Sequence, residues 1–317
     1  MIDLSTTLGN AWFPSPLFTA SGCASSGREL AQFIDLREIG AVVTKSVMSK
    51  PRHGRPTPRM AETPSGMINS IGLQGPGIDQ FLAQDLPWLV SQKARVIVSI
   101  AGETVEEYAT LARKVRSAPG ISALEVNISC PNVENRGLVF ACDPDASRRV
   151  IDGVRKTLGG ELPIIAKLSP DVTDLVSIAK GVVDAGADGL ALINTVLSMV
   201  INLETMRPHL GAKTGGLSGP AIRPIAVRAI YQVHEALPTV PILGMGGVAT
   251  GRDALELILA GAKGVSVGTA SFGDPAAIIS IQNELKELLK VRGFTSVAQA
   301  VGYAHRPVED IDTRHEQ

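Results

Sequence analysis

The residue best placed for proton chemistry in this chain is a cysteine set between two asparagines, in Asn127-Ile-Ser-Cys-Pro-Asn132. A free thiol ionises near about pH 8.5, so Cys130 in a polar loop can serve as acid or base toward a carbon acid of matched strength. Asn69, Asn127, Asn132 and Asn194 carry amides that both donate and accept hydrogen bonds. That suits a flat heterocycle with alternating C=O and N–H groups. Lys45 and Lys167 each follow an apolar run, where a cation is costly to bury unless an anionic or electron-rich ligand compensates. Gly246-Gly247 and Gly268-Thr269 offer backbone N–H groups to a phosphate. Each has an ordinary alternative: asparagine and glycine also serve turns, and a buried thiol is inert, as expected for Cys23 and Cys142. None of the histidines follows a strand and no metal-ligand spacing is visible, so neither a histidine base nor a metal is expected.

Such groups need a scaffold that brings distant segments to one place. Short apolar or β-rich runs recur at residues 17–20, 41–44, 95–100, 123–126, 163–167, 189–193, 241–245 and 264–267. Segments of helical periodicity, among them 105–117, 145–158, 173–185, 221–236, 251–260 and 275–291, follow most of them. Strand and helix in alternation, with near-continuous apolar strands, predict a parallel sheet covered by helices. Even spacing, with no Gly-x-Gly-x-x-Gly after the first strand, favours a closed α/β (β/α)8 TIM barrel over an open doubly wound sheet. The connections after strands 2 and 6, residues 45–78 and 195–220, are too long for plain loops and are read as inserted lids or hairpins.

In such a barrel the active site lies at the C-terminal strand ends. Those ends hold Ser21, Lys45, Ser46, Ser99, Asn127, Lys167, Asn194, Thr195, Gly246, Gly247, Gly268 and Thr269. Lys and Arg total 30 against 31 Asp and Glu, so no strong net charge exists to draw nucleic acid or an acidic membrane, and a small-molecule ligand is expected. Three cysteines are too few and too unevenly spaced for a disulfide framework. The first nine residues lack a basic, apolar leader and no later stretch is long enough to span a membrane, so a soluble, cytoplasmic protein is expected. Residues 1–307 are read as one domain and 308–317 as a polar C-terminal tail.

Taken together, Asn127-Ile-Ser-Cys-Pro-Asn132, Asn69-Ser-Ile-Gly-Leu-Gln-Gly-Pro76, Lys45-Ser46, Ile193-Asn194-Thr195 and Gly244-Met-Gly-Gly247 resemble the dihydroorotate dehydrogenases over nearly the whole chain. Pro56-Thr-Pro-Arg59, Ala61-Glu-Thr-Pro64 and Lys213-Thr-Gly-Gly-Leu-Ser-Gly-Pro220 resemble the class 1B branch. The resemblance implies an FMN-binding catalytic subunit that oxidises dihydroorotate to orotate, with Cys130 taking the C5 proton while hydride leaves C6. It further implies a homodimer joined as a heterotetramer to a partner subunit that carries FAD and [2Fe–2S] and reacts with NAD. FMN contacts would come from Ser21, Lys45, Ser46, Asn127, Lys167, Ile193, Gly219, Gly246, Gly247, Gly268 and Thr269. Substrate contacts would come from Lys45, Asn69, Ser70, Ile71, Gly72, Leu73, Asn127, Asn194 and Thr195, with Lys45 stabilising developing negative charge. Ser99 departs from the pattern, which has asparagine there, and a serine hydroxyl reaches less far toward the cofactor. Two neighbouring readings use the same barrel: a dihydropyrimidine (uracil or thymine) dehydrogenase, and a fumarate-linked class 1A enzyme.

Overall fold

The eight apolar runs become eight parallel strands of one sheet in the computed structural model, which describes residues 2–129 and 143–307. They are β1 (Leu17–Thr19), β2 (Val42–Val43), β3 (Val96–Ile100), β4 (Ile121–Asn127), β5 (Ile164–Lys167), β6 (Gly189–Leu192), β7 (Ile242–Met245) and β8 (Ala262–Val267). Neighbours follow chain order, β8 pairs with β1, and a parallel bridge between Phe18 and Ala41 closes the ring. The (β/α)8 barrel expected from the sequence is the architecture found. Cys130, Asn132 and the 308–317 tail lie outside the described residues.

Helices α1 (Val105–Arg116), α2 (Pro144–Leu158), α3 (Leu175–Asp184), α4 (Arg223–Ala236), α5 (Gly251–Leu259) and α6 (Ala277–Val291) cover the sheet. Their starts are written in the sequence. Thr104 accepts from the Glu107 N–H ahead of α1, Asp143 accepts from Asp145 before α2, and Thr250 with Asp253 forms a reciprocal capping box on α5. Between β1 and β2 the chain forms only a short 3-10 turn at Leu30–Gln32.

Strand register sorts the barrel interior into levels contributed by alternate strands. Phe18, Ile97, Ile165 and Leu243 fill one level near the base. An N-terminal hairpin, Thr6–Leu8 with Ala11–Phe13, closes the barrel bottom, and Phe13 meets Phe18 edge-on at 5.0 Å between ring centres. Each such buried side chain contributes about 2 kcal/mol. The base is thereby sealed, and only the opposite end is open to ligands.

The two long connections do not stay separate. Met60–Thr63 and Gly66–Asn69, inserted after β2, pair with Gly215–Ser218 and Val196–Ser198, inserted after β6, in one antiparallel four-stranded sheet. It forms a roof over the C-terminal strand ends.

Candidate active site

Between roof and strand ends lies a cavity of about 790 Å³, within the range of cofactor and substrate pockets. Ser21, Lys45, Ser46, Asn127, Lys167, Ile193, Asn194, Thr195, Gly246, Gly247, Gly268 and Thr269 line it from the barrel. Asn69, Ile71, Gly72, Leu73 and Gly219 line it from the roof. Two expected contacts do not reach it. Ser99 is fully buried behind Ser46, whose hydroxyl it meets at 2.9 Å, so Ser46 stands between it and the cavity. Ser70 is likewise fully buried and does not line the cavity, its backbone N–H donating to the Arg59 carbonyl at 2.7 Å.

The floor is a continuous polar network. The Asn127 amide donates to Ser46 at 3.0 Å, and its oxygen accepts from the Ser129 hydroxyl at 2.7 Å. Asn194 donates to that same hydroxyl at 2.7 Å, and the buried Tyr108 hydroxyl donates to the Asn127 carbonyl at 2.7 Å. The segments that follow β2, β4 and β6 are thus cross-linked at the mouth of the barrel. Each buried bond contributes about 1 kcal/mol and, more to the point, fixes the direction of an amide.

Lys167 is buried at the end of β5 and donates to Ser21 at 3.0 Å. Lys45 approaches Gly22, where a β-carbon would lie 3.3 Å from its ammonium nitrogen and where φ is +90°, so glycine is required. Beside them, burial pushes the Cys23 thiol up, with the fields of Lys167 and Lys45 pulling the other way. A thiol held in its neutral form is unsuited to act as a base.

Across the cavity, Gly246 and Gly247 have φ of +128° and +73°. A β-carbon at 247 would come within 2.8 Å of Arg223 Cβ, at the start of α4. The start of α4 has no donor to spare, since the Ile222 and Arg223 N–H groups bond to the Gly219 and Pro220 carbonyls and Pro224 has none, so the cradle on this side is the Gly246-Gly247 loop itself, which lines the cavity. Thr269 meets the Ser218 hydroxyl at 2.9 Å, closing this side against the roof. A positive-φ glycine loop in a cavity that also holds two ammonium groups suits a phosphorylated, electron-poor ring compound.

Several residues of the site were not anticipated. Ser129 stands inside the Asn127–Asn132 motif, where the neighbouring cysteine is the more reactive group, and Ser218 stands in the glycine-rich stretch. Met60 and Met67 enter from the inserted hairpin, whose sequence shows no alternation to say which side faces a ligand. Tyr108 is in a helix, where a buried hydroxyl carries no sequence signal. Among the described residues no metal-binding group is found, and no helix is long and apolar enough to cross a membrane.

The family model for dihydroorotate dehydrogenase matches residues 3–289. The chain is 51% identical over 305 residues to dihydroorotate dehydrogenase B (NAD(+)), catalytic subunit, of Desulforudis audaxviator (strain MP104C), covering 96% of this chain and 98% of that one. It is 46% identical over 302 residues to the protein of the same name from Geobacillus kaustophilus (strain HTA426), covering 95% and 96%. The structure of an Eimeria tenella DHODH in complex with ferulenol superposes with a TM-score of 0.83 at 23% identity, covering 96% of this chain and 89% of that one, and shows the shared fold. With its motifs gathered around one cavity and its whole length matched, the chain belongs to the dihydroorotate dehydrogenase family.

Proposed function

We propose that this chain is the catalytic subunit of an NAD-linked dihydroorotate dehydrogenase, oxidising dihydroorotate to orotate in pyrimidine biosynthesis. The observation that carries the reading is the convergence, in one cavity, of Lys45, Lys167, the Asn69, Asn127 and Asn194 amides and the Gly246-Gly247 backbone. The relatives named B (NAD(+)), catalytic subunit, support the same assignment.

The residues present fit FMN. The backbone of Gly246, Gly247, Gly268 and Thr269 suits its phosphate, and Ser21, Lys45, Ser46, Asn127, Lys167, Ile193 and Gly219 line the space for the rest. A bound flavin supplies a two-electron acceptor for the hydride leaving C6. The chain's own residues do the remainder. Cys130 removes the C5 proton, Lys45 stabilises negative charge, and Asn69, Ile71, Gly72, Leu73, Asn127, Asn194 and Thr195 hold the ring while the roof excludes water. Ser99 and Ser70 support this set from behind the wall rather than by contact.

In this reading residues 1–307 form one flavin-binding domain, carried by a soluble, cytoplasmic homodimer. It joins a subunit holding FAD and [2Fe–2S] as a heterotetramer, and electrons pass through that subunit to NAD. An anaerobic titration tests the whole assignment. Dihydroorotate should bleach a yellow chromophore in the purified chain, orotate but not uracil should perturb its spectrum, and NAD should reoxidise it only with the partner present. A chromophore indifferent to dihydroorotate, or answering to uracil instead, refutes the reading.

A further inference from the structure

Below the cavity, inside the barrel, lies one acidic side chain to which no role has been given. Glu125 stands two residues before Asn127 on β4, on the same inward face, and is completely buried. Its strand neighbours in register are Ser99 and Ile165, and the register of the whole sheet sets it at one level with Val43, Ala191 and Ser266. Neither carboxylate oxygen has a hydrogen-bond partner among the described residues, and the Ser266 hydroxyl across the barrel has none either. Val43 and Ala191 offer it no dipole.

A carboxylate removed from water and from hydrogen bonds needs a positive field in compensation. The field is close by. Lys167 lies on the adjacent strand two residues beyond Ile165, which puts its Cα about 8 Å from that of Glu125 by strand spacing and rise. Lys45 is one level higher, and both ammonium-bearing side chains line the cavity.

We propose that Glu125 is the buried counter-charge of the Lys45–Lys167 pair and acts through it as a positioning residue for the reaction. The inference rests on the flavin and dihydroorotate reading of the cavity. Two fixed cations draw in a phosphate, a substrate carboxylate and the charge that arrives with electrons. Alone they would also hold an anionic product tightly. A fixed negative charge beneath them tempers that pull, because at this range in a water-poor interior a unit charge acts over more than one level of side chains. Glu125 thereby sets the balance between binding orotate and releasing it, and between the oxidised and reduced states of the site.

Glu125→Gln keeps the shape and removes the charge. In the flavin-loaded variant, spectral titration should show orotate binding about tenfold tighter. Equilibration with a reference dye should show the flavin reduced more readily, and Glu125→Asp should return both values toward those of the parent chain. Unchanged orotate affinity and unchanged potential in a folded, flavin-loaded Glu125→Gln protein overturn the proposal. If Glu125→Gln does not fold, Ser266→Asp adds a second carboxylate at the same level and should shift both quantities the other way; no shift there overturns the proposal too. A parent chain that neither holds flavin nor responds to orotate refutes the functional reading itself, a result separable from the other two.

Discussion

Asn194 donates from its side chain to both the hydroxyl and the backbone carbonyl of Ser129, at 2.7 and 3.3 Å, tying the end of β6 to the residue next to Cys130. The two residues are 65 positions apart. Replacing Asn194 with Ala removes both bonds and frees the approach of the cysteine segment. Steady-state turnover of dihydroorotate should fall by about 10- to 100-fold, the cost of roughly an ångström of misplacement, while flavin content stays near that of the parent. Less than a twofold loss would mean that Ser129 does not hold that segment.

Substitution of Cys130 separates proton transfer from cofactor binding. Cys130→Ala should retain bound flavin but lose its rapid reduction by dihydroorotate, followed by stopped-flow absorbance. Cys130→Ser should keep a residual rate that climbs with pH, since a hydroxyl is far harder to ionise than a thiol. Flavin reduction at the parent rate in Cys130→Ala removes this residue from the mechanism.

Gly247→Ala tests the backbone cradle. The new β-carbon would meet Arg223 Cβ at 2.8 Å and the Gly219 carbonyl at 2.9 Å, at a φ of +73° that alanine resists. Strain of about 1–3 kcal/mol is expected, with flavin lost on gel filtration. A variant that melts like the parent and stays fully yellow would show that the loop relaxes without cost.

Acid should loosen the C-terminal end of the described chain. Burial, then the neighbouring charges of His305 and Lys263, hold His234 below the ordinary histidine range, and its Nδ1 has no hydrogen-bond partner among the described residues. The folded chain therefore takes up this proton less readily than the unfolded one. Its contribution is complete above the unfolded histidine value of about 6.5 and is lost progressively as pH falls from there through the lower value of the folded chain. Thermal melts between pH 8 and pH 5 should show a falling midpoint that flattens in His234→Gln; an identical slope in both proteins would clear His234 of the effect.

The barrel was legible because strands covered on both faces are nearly continuous apolar runs, and β3 to β8 read that way despite single polar residues such as Glu125 and Ser266. Strand β2 is only Val42–Val43 in the sheet, yet its flanking Ala41 and Thr44 made the run long enough to recognise. The N-terminal hairpin, with three residues in each strand, was too short to show an alternation. Pairing of Met67 with Ser218 leaves no local trace, since each strand looks like a loop until the other is beside it. Ser99 failed for a different reason. Sequence places a residue at a strand end but not the neighbour, Ser46, that steps in front of it.

The roof also orders events in time. Its central strands, Gly66–Asn69 and Gly215–Ser218, come from chain segments made far apart, and the Ser218 hydroxyl bonds to the Met67 carbonyl across 151 positions. During synthesis the first hairpin must wait, with its inner edge unpaired, until the second has left the ribosome. Long-range pairings of this kind form late and slowly. Both roof segments are nevertheless made before β7 and β8, so the roof can pair only over a barrel whose ring is still open, and the cavity is complete once β8 reaches β1.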